Sequence, residues 1–293
     1  MSRFLSRYFS TEASLPTTSI AKTAGVSMLT AACLLAANAS RLVAQTDFYN
    51  TDRGRPVQIE DAYVTERYAF ELKLAPVRIE RAARGAYNWG LDPEIAYGFL
   101  PRTQLELSLP LAYREAGSQH TSGVRGLGLS LMHNLNAETE TWPALGIRAD
   151  LLMPVGGLAP DKAFPSITGM ATRTFRVARF HLNAQYTAGD SPATSTTNAS
   201  ASELSRWLIG GAIDKTFPLR SSLISAEFFG RKPIDASESV EYTTGVGVRH
   251  QMSPTLALDA GFGRRLNGSA PGWYVTFGSA YAFSLAGLFP AGR

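Results

Sequence analysis

The chain is poor in the residues on which catalysis and metal binding usually rest. It has one cysteine, Cys33, and four histidines, His120, His133, His181 and His250, in 293 residues. A lone Cys closes no internal disulfide, and no Cys/His spacing has the form of a zinc site. G-x-S-x-G and H-E-x-x-H are both missing. "GLGLS" at 126–130 lines glycine along one strand face with no helix behind it, so it is not a phosphate loop. No cofactor, no metal and no enzymatic activity are expected. Blocks of Lys and Arg are also missing, so no nucleic-acid partner is expected.

Long hydrophobic runs are nearly absent too. The one uncharged apolar run, "AGVSMLTAACLLAANA" at 24–39, is shorter than the roughly 20 residues a spanning helix needs. Arg3, Arg7 and Lys22 precede it, and Ala37-Asn38-Ala39 or Leu42-Val43-Ala44 follows as a small-x-small cleavage pattern. Residues 1–44 therefore read as a secretory signal peptide, cut after Ala39 or Ala44, which removes Cys33. Taking Arg3, Arg7, Lys22, Arg41 and Glu12 from 28 basic and 24 acidic residues leaves 24 and 23. The pI near 9.2 thus belongs largely to the leader.

What is present is alternation. Phe70, Leu72 and Leu74 oppose Glu71 and Lys73. Leu105, Leu107, Leu109 and Leu111 oppose Gln104, Glu106 and Ser108. Leu145, Ile147, Ala149 and Leu151 oppose Arg148 and Asp150, and Phe180, Leu182, Ala184 and Tyr186 oppose His181, Asn183 and Gln185. Tyr242, Val246 and Val248 oppose Glu241, Thr243 and Arg249, and Leu256, Leu258 and Phe262 oppose Asp259. A period of two is the signature of strands. About twelve such segments run between 66 and 283, most of them near the 9–11 residues that cross a bilayer at a tilt.

The links between segments sort by length. "REAGSQHTSG", "VGGLAPDKAF", "GDSPATSTTNASASE", "RKPIDASES" and "RRLNGSAPG" are long and polar, whereas "FLPR", "RVA", "FPLR" and "QMSP" are short. Tyr68, Trp89, Tyr97, Tyr113, Trp142, Tyr186, Trp207, Tyr242, Trp273 and Tyr281 fall near segment ends, where amphipathic rings meet the headgroup levels. Together these features predict an all-β, up-and-down antiparallel transmembrane barrel of about twelve strands over 66–283, embedded in a lipid bilayer of the bacterial outer membrane. A short tail, 284–293, follows. The polar face should line the lumen, which makes Glu71, Lys73, Glu106, Arg148, Asp150, Glu227, Glu241, Arg249 and Asp259 the candidate lumen residues. Mixed signs at these positions favour ion pairs across the lumen. His133, His181 and His250 fall at the short-turn side, where they should tie strand ends to turns; His120 falls in a polar link.

"VTFGSAYAF" at 275–283 supplies the closing strand, with Trp273, Val275, Phe277, Tyr281 and Phe283 turned outward. Thr276, Gly278, Tyr281 and Phe283 resemble the C-terminal signal by which barrel-assembly machinery engages its substrates, which implies that machinery as a partner. Residues 45–65 precede the first strand. They carry Asp52, Arg53, Arg55, Glu60 and Asp61 beside Phe48, Tyr49, Val57, Ile59 and Tyr63, more apolar surface than a solvated tail needs. The expectation is a segment folded into the periplasmic mouth as a plug, with Arg53 and Arg55 pairing with inward carboxylates such as Glu106 or Asp259.

Several stretches, taken in order, resemble the family named for the MetA pathway of phenol degradation. They are "PEIAYGFLPRTQLELSLPL" (93–111), "GVRGLGLSLMHNL" (123–135), "WPALGIRADLLMPVGG" (142–157), "ARFHLNAQY" (178–186) and "GRRLNGSAPGWYVTFGSAYAF" (263–283). That resemblance implies an outer-membrane, transporter-like barrel passing small molecules, aromatic ones among them. It carries no binding site across. The expected function is passive passage of a small-molecule solute; the rival readings are a structural or adhesion barrel with a filled lumen, and an outer-membrane hydrolase.

Overall fold

A computed structural model describes residues 50–83, 86–116, 119–191, 204–267 and 272–284. The expected leader and the tail beyond 284 lie outside the described residues. The wall runs β1 (Phe70–Ala83), β2 (Ala86–Leu100), β3 (Thr103–Ser108), β4 (Leu111–Ala116), β5 (Gln119–Val124), β6 (Leu127–Asn136), β7 (Ala144–Met153), β8 (Phe164–Thr174), β9 (Arg179–Thr187), β10 (Ser205–Phe217), β11 (Ser222–Pro233), β12 (Glu241–Ser253), β13 (Leu256–Arg265) and β14 (Trp273–Phe283). Every pairing is antiparallel, and β1 bonds to both β2 and β14, so the sheet closes on itself.

Fourteen segments make twelve staves. β2 pairs with β3 at one end and β4 at the other, so β3 and β4 are one strand interrupted at Leu109–Pro110. β5 and β6 are likewise one strand interrupted at Arg125–Gly126, where Gly126 has φ of 147°. Pro110 has no N–H to give the ladder. The gap is bridged by Arg125 N–H donating to the Pro110 carbonyl at 2.8 Å.

The two faces carry opposite chemistry, as the alternation predicts. Leu105, Leu131, Ile147, Ile167, Leu182, Ile209, Ile224, Val246, Val248 and Phe262 are exposed on the outside. Lys73, Glu106, Arg148, His181, Asn183, Asp214, Glu227, Arg249 and Asp259 are buried on the inside. An outer surface this apolar is stable only against acyl chains, and closure leaves no backbone edge in them. Trp207 stands opposite Tyr186 and Trp89 opposite Tyr113 near the long-link end. Tyr97 and Tyr281 sit near the short-turn end. From Trp89 to Tyr97 a tilted strand rises about 20 Å, close to the roughly 25 Å apolar band of such barrels.

Aromatic rings also clasp the closing seam. Phe70 stacks on Tyr97 at 4.3 Å and on Phe283 at 5.5 Å, and Tyr281 lies 6.0 Å from Phe283. Phe283 was expected to face acyl chains. It is buried instead, its ring stacked on Phe70 of the first strand and on Tyr281 of its own.

The link "REAGSQHTSG" is not a loop as expected. β4 and β5 carry the hairpin through it, with Tyr113 opposite Ser122 and Arg114 opposite Thr121. Its residues lack an apolar face, which hid the strand from a reading based on alternation. His120 lies in β5 and stacks on Tyr113 at 6.3 Å.

The two faces should respond differently to charge. Leu182→Arg or Val246→Arg, mid-wall on the outside, should cost roughly 2–4 kcal/mol and reduce the folded fraction in a lipid-vesicle refolding assay. Gln185→Arg, on the inner face, should leave folding near wild type. Equal losses at inner and outer positions would mean that the faces have been misassigned.

Candidate functional site

Residues 50–69 thread the lumen rather than the wall, and their backbone is irregular. Such a segment must find a partner for each buried N–H and C=O away from water. Inner-face side chains supply many of them. Glu227 of β11 accepts the N–H of Gln58 at 2.7 Å and of Ile59 at 3.0 Å. Thr172 of β8 accepts Ala62 N–H at 3.0 Å, and Gln104 of β3 accepts Thr65 N–H at 2.7 Å. Asn134 of β6 donates to the Ala62 carbonyl at 2.8 Å, and Thr276 of β14 to the Pro56 carbonyl at 3.3 Å. Tyr68, at φ 67°, turns the chain from the lumen into β1.

Charge completes the docking. Asp52 bridges Lys73 at 2.9 Å and Arg249 at 2.9 Å. Arg55, fully buried, meets Asp259 at 3.2 Å and Asp52 at 3.5 Å. Arg53 makes a two-pronged contact with Asp150 at 2.9 and 3.3 Å. Arg148 joins Glu60 at 3.0 Å, Asp150 at 2.8 Å and Glu106. Lys73 also reaches Glu106 at 3.1 Å. These buried pairs do not by themselves argue for high stability, since desolvation offsets their attraction. Removing one partner, however, typically costs about 3–5 kcal/mol. Their effect is to fix where the segment sits.

Of the residues singled out from sequence, Lys73, Glu106, Arg148, Asp150, Arg249 and Asp259 meet in this one network. Glu227 anchors the Gln58–Ile59 backbone apart from it, with Tyr274 donating to its carboxylate at 3.1 Å. Glu71 lines a small cavity with Asp52, Asp61 and Arg249. Glu241 lies nearer the long-link end, paired with Arg231 at 2.7 Å and Arg265 at 3.3 Å. Arg53 pairs with Asp150, not with Glu106 or Asp259; Arg55 takes Asp259.

The histidines divide. His133 pairs with Thr103 at 2.9 Å and His250 with Ser222 at 2.8 Å, and each hydroxyl donates to a turn carbonyl. His181 lies between Thr172 at 3.0 Å and Asp214 at 2.7 Å. This is a hydroxyl–imidazole–carboxylate line, but Thr172 is fully buried and its oxygen already accepts Ala62 N–H. It positions the segment and leaves no room for a substrate. Among the described residues no group of three His, Cys, Asp or Glu is placed to hold a metal ion.

Glycine marks the closest approach. A Cβ on Gly261 would stand 2.3 Å from the Pro56 carbonyl oxygen, and one on Gly247 2.6 Å from the Pro56 ring. Both glycines face inward, Gly247 between exposed Val246 and Val248 and Gly261 beside exposed Phe262, and the wall is thinned where the segment presses on it.

Beyond the segment, toward the long links, lies a cavity of about 540 Å³. Arg53, Gly54 and Gln58 line it from the segment; Arg78, Glu80, Arg231, Glu241 and Arg265 line it from the wall. Sequence reading missed Arg78, Glu80, Arg231 and Arg265. The last two sit in stretches taken as links, and their pairing with Glu241 required strands longer than alternation alone delimits.

No family model matches the chain, and no curated protein matches it in sequence. Solved structures do. The COG4313 outer membrane channel from Pseudomonas putida F1 superposes with a TM-score of 0.52, at 14% identity over 80% of this chain and 100% of that one. KdgM porin gives a TM-score of 0.47 at 15% identity over 73% and 99% of the two chains. NanC porin gives 0.46 at 6% identity over 72% and 98%. At this identity the first similarity shows the fold: a twelve-stranded barrel of the outer-membrane type.

Two consequences can be measured. Gly261→Val should push Pro56 from its place, raising amide exchange across 52–62 while the barrel still assembles; unchanged protection would contradict the close approach. Burial pushes the Asp61 carboxyl up to about 6, against the opposing pull of Arg179 and His181. A carboxyl whose pKa rises on docking favours the docked state below its free pKa and loses that contribution as pH climbs through 6. After correction for intrinsic exchange rates, protection at Thr51 and Tyr63, whose amides bond to Asp61, should therefore increase from pH 7 to pH 5. Asp61→Asn should flatten this dependence. The opposite slope, or no effect of the substitution, would refute the assignment.

Proposed function

We propose that the chain is a passive outer-membrane channel for small molecules, with residues 50–69 as a constriction across the short-turn half of its lumen. The observation that carries this reading is a cavity of about 540 Å³ inside a closed barrel, floored by a segment docked through inner-face side chains, with its Arg67–Ala69 end also bonded to the Gly98 backbone. A barrel built only to be filled has no need of a vestibule of this size on one side and a separately docked segment on the other. Flux through such a lumen would follow the gradient.

The proposed topology puts both barrel ends, and hence the segment, on the periplasmic side, as the short turns at that end support. Residues 1–44 would direct export. Thr276, Gly278, Tyr281 and Phe283 would present the closing strand to the assembly machinery. The resemblance to the family named for the MetA pathway of phenol degradation supports small aromatic solutes among those that pass. The porin-like architecture supports passage without catalysis.

Deleting residues 46–62 while keeping the leader should raise single-channel conductance several-fold in planar bilayers and leave heat-modifiable gel mobility intact. Liposome swelling with sugars, amino acids and small aromatics should show flux that increases in the deletion. Absence of both conductance and flux in wild type and deletion alike would favour the filled structural barrel instead.

A further inference from the structure

On one arc of the vestibule, five charges from four strands form a line that passes over β14 between β13 and β1. Arg231 (β11) binds Glu241 (β12) at 2.7 Å, Glu241 binds Arg265 (β13) at 3.3 Å, and Arg265 binds Glu80 (β1) at 2.6 Å. Arg78 (β1) closes the line, 3.8 Å from Glu80, and its guanidinium lies 3.8 Å over the Tyr274 ring. Three cations stand against two anions, so the line carries one surplus positive charge.

Exposure varies along the line. The Arg78 side chain is 34% exposed and Glu80 19%; Arg231 and Arg265 are 21% exposed and Glu241 12%. Carboxylates and guanidiniums both line the cavity, and Arg78 is the most exposed of the five. Each guanidinium has five donors in a planar fork, and one carboxylate contact uses at most two of them. Donors therefore remain for a ligand that supplies acceptors. Along β8–β10 the cavity is bounded by neutral groups, Ser166, Gln185, Thr187, Phe164 and Leu208, whereas the β2–β7 side adds charges that include the Arg125–Asp92 and Arg53–Asp150 pairs. A charged arc beside a neutral one suits a solute with one charged end and an uncharged body.

We propose that the Arg231–Glu241–Arg265–Glu80–Arg78 line is a binding site for the carboxylate of a small organic monoanion. The proposal names the solute class of the channel described above and rests on that reading. The surplus belongs to this line and not to the cavity as a whole, whose lining holds six basic and six acidic side chains, so the line suits a single carboxylate and not a polyanion. The planar forks select a carboxylate, which they can meet with two parallel N–H···O bonds. The neutral arc accepts the rest of the molecule. Arg78, stacked on Tyr274, is held in place before the ligand arrives.

The test separates binding from passage. Titrate the full-length barrel in detergent with benzoate, benzyl alcohol and benzylamine by calorimetry, and measure swelling of liposomes containing the same barrel. Benzoate should bind, the neutral alcohol at least roughly tenfold more weakly, and the cation not at all, with benzoate affinity falling as salt rises. Arg78→Gln and Arg231→Gln should each weaken benzoate roughly tenfold without changing alcohol binding. If a variant fails to fold, the wild-type charge series and salt dependence still decide. Equal binding of benzoate and benzyl alcohol, or benzoate binding indifferent to both substitutions, overturns the site. Benzoate binding without flux sustains the site and overturns the channel reading; flux without binding does the reverse.

Discussion

Closing a sheet commits every second side chain to a lumen, and in this barrel the consequences of that constraint shape everything else. Twelve staves enclose a narrow interior compared with the wide aqueous bore of larger porins. A charge turned inward cannot count on bulk water, so it must be paired, hydrogen-bonded or both. Lys73, Glu106, Arg148, Arg249 and Asp259 are buried and placed around the circumference. The wall charges are completed by Asp52, Arg53, Arg55 and Glu60, which come from a segment outside the sheet. The wall and the segment are thus two halves of one electrostatic arrangement.

That arrangement sets position more than it adds stability. Each ion pair must be desolvated, which offsets much of the attraction, but a segment displaced by one residue would leave several buried charges without partners. The same logic explains the thinning of β12 and β13 at Gly247 and Gly261, where the Pro56 backbone and ring occupy space a side chain would need. It explains why Glu227 takes two consecutive backbone N–H groups: irregular chain in a lumen has no ladder to join. Toward the long links the segment no longer fills the bore, and the charges there pair among themselves and leave guanidinium donors facing open space.

The fold was legible because lipid outside and charge inside write a period of two into the sequence. Leu105, Ile147, Leu182 and Val246 against Glu106, Arg148, His181 and Gly247 is that period. The twelve staves and the sorted links could be counted from it. The signal fails where one side is neither lipid nor lumen. The β4–β5 hairpin has no apolar face, so strands were read as a loop. Arg231 and Arg265 lie past the last clear alternation, so an ion line through Glu241 was out of reach. The pairing of Arg55 with Asp259, some two hundred residues away, could be anticipated in kind from charge balance. The choice of Asp150 for Arg53 could not, because it depends on how deep the segment enters. Phe283 likewise needed the seam: only when the first strand meets the last does its ring find Phe70.

Residues 50–69 lie inside the barrel in one fixed register, and a single cross-link tests that placement. A Cβ on Gly146 would stand 3.4 Å from the Ala62 Cβ, near the separation a disulfide spans. In the chain carrying Ala62→Cys and Gly146→Cys, the cross-link should form in the assembled barrel under oxidising conditions. Non-reducing peptide mapping should then join the two peptides, with neither single substitution doing so. Two free thiols in a folded, heat-modifiable barrel would contradict the docked segment and the account built on it.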